Sequence, residues 1–193
     1  TSAGTAHFAA DVTTSGSQSI TADTIQPTGD HTTTNSDITF TGAVELQAGI
    51  TVSTDAAGGD ITFTSTVDNA QTLELTAGTG SIDMQDNVGT GTTLTSLTVN
   101  SATVSRFGAD VTTSGIQSIT ADTIRLNGTH TTTNSNVTFT GNVVLQADSA
   151  VDTGGAGGGN IVFQQTVNGN NILDVSSGSG TISFNGVVGG SNA

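Results

Sequence analysis

Apolar residues stand alone or two apart along this chain, with Thr, Ser, Asn and Gly between them. Ile61-Thr62-Phe63-Thr64 is representative, and its period of two predicts a short strand with Ile and Phe facing inward and Thr outward. Every Phe, and the one Met, is followed four positions later by Val: Phe8/Val12, Phe40/Val44, Phe63/Val67, Met84/Val88, Phe107/Val111, Phe139/Val143, Phe163/Val167 and Phe184/Val188. A second apolar pair follows, such as Leu73/Leu75 or Leu173/Val175, and then a turn, AGTG or SGSG.

Successive aromatic positions are 32, 23, 21 and 23 residues apart, then 32, 24 and 21. This is one pattern of four rungs nearly twice over. The longer repeat is visible directly, because DVTTSGSQSITADTI at Asp11 returns as DVTTSGIQSITADTI at Asp110, a shift of 99, and HTTTNS at His31 returns at His130. One residue is inserted in the Gly-rich loop near Gly154 to Gly159. Two or more strands in each rung of 21 to 32 residues is the coil length of a solenoid and not the spacing of hairpins. The predicted fold is all-β, a parallel β-solenoid or β-helix of about eight rungs. It forms a single array over residues 1–193, with internal repeats 1–99 and 100–193. The long first rung, with Gln18 to Ser36 inside it, is expected to be a wider coil or a protruding arc. TSAGTAHFAAD at the start aligns with NSATVSRFGAD at Asn100, while the C-terminal VVGGSNA stops short of a counterpart to Leu94 through Val99. Both ends are therefore expected to be open and uncapped, with the array continuing beyond them or copies stacking end to end.

Stacking explains the composition. Like positions of adjacent coils lie about 4.8 Å apart, so a charge repeated at one phase repels its neighbour, whereas Thr, Ser and Asn stack without that penalty. Charged residues are only 9% and hydrophobic ones 33%, with 26 Gly and 1 Pro. A rounded core is not expected from such a mixture, and the regular Ile, Val and Leu argue against disorder. Net charge is -14 and the only cations besides His are Arg106 and Arg125, which leaves no basic footprint for nucleic acid or an anionic membrane surface. With 0 Cys there is no disulfide framework and no thiolate metal site. No apolar run approaches the roughly 18 residues of a membrane span, so membrane insertion is not expected. TSAGTAHF lacks the basic and apolar regions of a signal peptide.

No catalytic, cofactor-binding or metal residue is predicted. A polysaccharide lyase needs acids converging with Lys or Arg; here Arg106 stands where the other repeat has His7, and Arg125 where it has Gln26, so neither belongs to a repeated constellation. The chain is not expected to be an enzyme. His31 and His130 share a phase about four rungs apart, too far to share a metal, and are expected to be solvated turn residues. Asp11, Asp23, Asp110 and Asp122 recur across the repeats and could each join carbonyls around a structural calcium, yet DAAGGD at Asp55 loses both carboxylates in the second repeat. Thr39/Thr41, Thr62/Thr64 and Thr138/Thr140 begin a ladder of the kind an ice-binding face needs, interrupted by Asp83/Gln85 and Val162/Gln164. Asn127-Gly128-Thr129 and Asn136-Val137-Thr138 match the N-glycosylation pattern, as chance allows in such a composition.

GDITFTSTVDNAQTLELTAGTGSIDM and GNIVFQQTVNGNNILDVSSGSGTISFNGVVGG resemble the repeats of large bacterial filamentous-haemagglutinin-like exoproteins, and the resemblance covers nearly the whole chain. It implies a right-handed parallel β-helix, secretion to the bacterial cell surface or beyond, and a role in adhesion, biofilm or fibrous layers. The expected function is an extracellular structural or adhesive fibre segment. It would associate with itself end to end or form part of a longer filament, with host or cell-surface carbohydrate as a further partner. The alternative is a passive stalk that presents a binding domain elsewhere in a giant adhesin. A calcium-stabilised carbohydrate-binding surface ranks behind both.

Overall fold

The computed structural model describes residues 3–190; the expectation of open ends falls partly on residues outside that range. Nineteen strands from Ala3–Phe8 to Ile182–Phe184, and no helix among the described residues, form one continuous sheet. The chain is a parallel β-solenoid of about nine turns.

Three inward columns define three faces. On the first lie Gln18, Ile38, Ile61, Ile82, Ser105, Ile124, Val143, Val167 and Val188. The second carries Ala6, Ile25, Val44, Val67, Val88, Val111, His130, Val151 and Val175. The third carries Val12, His31, Val52, Leu75, Val99, Ile119, Phe139, Phe163 and Phe184. Most of these side chains are fully buried, and each buried Ile, Leu, Val or Phe contributes roughly 1.5–3 kcal/mol through its lost apolar surface.

The expected eight rungs become about nine coils because the two 32-residue intervals are not single wide coils. Phe8 lies beside Pro27, and Gln18 beside Ile38, so a complete coil closes before the next Phe arrives. The aromatic count missed that coil because Pro27 and, in the second repeat, Leu126 occupy its Phe position. Nothing protrudes there as a separate arc: Gln18–Pro27 and His31–Thr33 pair on both sides along the wall.

A second consequence concerns the repeat itself. Val12 lies on the third face and its equivalent Val111 on the second, while Ile38 lies on the first and its equivalent Val137 stacks on the third. Equivalent residues are thus displaced by one face, and each repeat spans four and two-thirds coils. The Thr pairs show this, since Thr39/Thr41 and Thr62/Thr64 share the first face but Thr138/Thr140 belongs to the third.

Corners are fixed by backbone chemistry. Gly42 (φ 131°) and its equivalent Gly141 (φ 155°) adopt a conformation that side chains rarely enter, and a Cβ at either would fall inside the carbonyl of Ala22 or Ala121 one coil below. Asp and Asn side chains at other corners accept from the amide one coil above. Asp37 Oδ1 accepts from Asp60 N (2.9 Å), and Asp60 Oδ1 from Ser81 N (2.8 Å). In the second repeat Asn136 and Asn160 make the same ladder to Asn160 N and Thr181 N (2.8 and 2.9 Å).

Candidate functional site

The two histidines are not solvated turn residues. His31 and His130 are completely buried, His31 in the third inward column and His130 in the second. The local reason is register: His31-Thr32-Thr33 stacks one coil above Val12-Thr13-Thr14, so the imidazole replaces an inward Val. His31 sits edge-on between Phe8 and Phe40, with centroids 5.1 Å away on both sides, and His130 between Phe107 and Phe139 at 4.9 and 5.5 Å.

Each ring has one polar partner. His31 Nδ1 lies 2.8 Å from Gln18 Oε1, and His130 Nδ1 2.8 Å from Gln117 Oε1. The Gln18 amide donates to the carbonyls of Val12 (3.0 Å) and Thr32 (2.9 Å). Gln117 donates likewise to Val111 and Thr131 (3.3 and 2.9 Å). With its NH₂ committed to carbonyls, each Gln offers only its oxygen to the ring, so the imidazole is assigned as the neutral Nδ1–H tautomer. Nε2 of each ring has no hydrogen-bond partner among the described residues. Burial pushes the His130 pKa down to about 3. Burial also lowers that of His31, against the opposing pull of the Asp30 and Asp11 carboxylates. These rings are packing groups with a satisfied edge, and neither reaches solvent to act as base, nucleophile or ligand.

The two arginines fall at different phases of the sequence repeat, yet the structure brings them together. Arg106 and Arg125 are direct neighbours on adjacent coils of the first face, because that coil is 19 residues long. Arg106 Nη1 forms an ion pair with Asp83 Oδ1 one coil below (2.6 Å), leaving Arg125 exposed. Asp60 and Asp83 share a shallow surface depression with both arginines, which cancels their charge. A larger groove of about 570 Å³ runs past Thr103, Ala121, Asp122, Asn142 and Gln165, and Asp122 is the only ionisable side chain lining it. It holds no pair of acids for glycosidic chemistry and no cation to stabilise charge.

Two of the four carboxylates raised as calcium ligands, Asp11 and Asp110, have other work. Asp11 Oδ1 accepts from Asp30 N (2.9 Å), and Asp110 Oδ1 from Thr129 N (2.8 Å). Among the described residues no three His, Asp or Glu side chains gather in a way that could hold a metal ion.

The last coil differs from the rest. Ile182 (39% exposed), Phe184 (40%), Val187 (60%) and Val188 (56%) are open to solvent, while Ile161, Phe163 and Val167 directly below are buried. No family model, curated protein or solved structure matches this chain.

Proposed function

We propose that this chain is a non-enzymatic segment of an extracellular structural or adhesive fibre, of the filamentous-haemagglutinin-like repeat style. Its work is mechanical reach and self-association, either end to end between copies or within a longer β-helical filament. The observation that carries this reading is the unbroken parallel wall: nineteen strands in one sheet, with three inward columns stacked through about nine coils and almost every inward position buried. The chemistry of the wall supports a scaffold: the histidines are sealed between Phe rings, and one arginine is bound to Asp83. Secretion to the bacterial surface and contact with cell-surface carbohydrate follow from the resemblance and belong to the same proposal.

Electron microscopy of the purified chain at rising concentration, with and without a chelator, tests the reading. Filaments with an axial spacing of a whole number of coils are expected. Short rods of one length, about 43 Å for nine coils, would move the stalk reading ahead. Filaments that dissolve in chelator would revive calcium.

A further inference from the structure

The outward positions of the third face form a hydroxyl grid that the order of the sequence conceals. Beside the inward column Val52, Leu75, Val99, Ile119 and Phe139 runs one outward column, Thr51, Glu74, Thr98, Ser118 and Thr138, each residue paired with the next. On the other side of the inward column stand Ser53, Thr76, Ser101, Thr120 and Thr140. Nine of these ten positions carry a hydroxyl, and Glu74 is the exception. Below Ser53 the second column continues through Thr32 and Thr13. The one-face offset hides this field, because Thr138/Thr140 joins Thr98 and Ser118 and not its repeat counterpart Thr39/Thr41. We propose that this face binds ice, holding a first layer of water in register with the crystal lattice. The proposal goes beyond the fibre reading and stands whether or not copies join.

Coils repeat about every 4.8 Å along the axis and alternate outward residues stand about 6.6 Å apart across it, a rectangular net whose two spacings are close to oxygen repeats of ice. Such a net complements a surface that itself repeats in two directions, which a single dissolved solute does not. Most of its hydroxyls are also free to bond water. Ser53 Oγ accepts from Asp55 N (3.2 Å). A bulge after Val99 sets Ser101 over Thr76 and leaves Asn100 as the extra residue, donating from Nδ2 to Thr76 Oγ1 (3.2 Å). The other seven hydroxyls have no hydrogen-bond partner among the described residues. Thr is stiff at its first side-chain torsion, and the five inward residues beneath the grid are buried, so the array is ordered before ice arrives and loses little entropy on contact. A charge would organise water around itself, yet in a chain of net charge -14 the ten positions hold one ionisable side chain. The first face offers no equal, because Thr39/Thr41 and Thr62/Thr64 run into Asp83 and then Arg106.

The gap between the melting point and the temperature at which a seeded crystal grows, together with crystal shape, tests this. It is measured on the parent chain and three single variants, each verified as β-folded by circular dichroism. Thr98→Tyr puts a bulky ring at the centre of the grid. Thr112→Tyr makes the same change at an outward position beside Val111 on the second face. Glu74→Thr fills the one gap in the net. The parent is expected to facet ice and hold its growth below the melting point. Thr98→Tyr should lose that gap, Thr112→Tyr should keep it, and Glu74→Thr should widen it. Round crystals and no gap in both the parent and Glu74→Thr overturn the proposal. An unchanged gap in Thr98→Tyr, or an equal loss in Thr112→Tyr, overturns the assignment to this face. Sedimentation of the same samples reports self-association separately, so neither reading stands or falls with the other.

Discussion

His130 places a neutral imidazole where a chain of aliphatic residues would otherwise run, and this sets a pH dependence with a definite sign. Its folded pKa, near 3, lies below the unfolded value near 6.5. The unfolded state therefore binds the extra proton between those limits. The stability is complete above about pH 6.5 and falls as pH drops through that window, by at most about 1.4 kcal/mol per unit. His130→Leu should flatten the decline in melting temperature between pH 6 and 4 relative to the parent; parallel curves would show that the ring titrates freely. Gln117→Ala strands the His130 Nδ1–H and the carbonyls of Val111 and Thr131, and should cost about 2–4 kcal/mol in urea unfolding. Phe63→Asp or Leu75→Asp buries an unpaired charge in a closed column and should leave no cooperative β-type transition. The inward positions of Phe63 and Leu75 were legible from alternation alone. The burial of His31 was not, because Gly29, Asp30 and three Thr surround it and read as a turn. The signal was the match of HTT at His31 to VTT at Val12, one 19-residue coil earlier.

At the scale of strands and corners, the Asx ladders account for acidic residues that sequence reasoning weighed as calcium ligands. Asn136 and Asn160 make the same bonds as Asp37 and Asp60, so one neutral carbonyl oxygen is enough. Asp60→Asn should melt with the parent. Asp60→Ala, which leaves Ser81 N without its acceptor, should lose about 1 kcal/mol. Equal losses for both would mean that the carboxylate charge matters, as a cation site requires. Parallel strands and the coil style could be read from the Phe/Val pairs, but the number of coils could not. A coil is closed by register between neighbours, and the 32-residue intervals that contain Pro27 and Leu126 are each one and two-thirds coils, which any count of aromatic residues takes for one.

For the whole rod, a net charge of -14 with one ion pair among the described residues makes self-repulsion the main long-range term. Sodium chloride should raise the melting temperature as screening shortens to about 8 Å near physiological ionic strength. Calcium at matched ionic strength should add nothing further, and a distinct calcium increment would point to a bound ion. The one-face offset between repeats also governs how such a wall meets the outside. In a run of these repeats, a patch on the surface faces three directions in turn and returns to its first bearing only after fourteen coils, about 67 Å. A flat target therefore engages one patch in three, however long the rod, whereas a fibre wound around it can engage all of them. Avidity depends on that geometry before it depends on the affinity of any one patch.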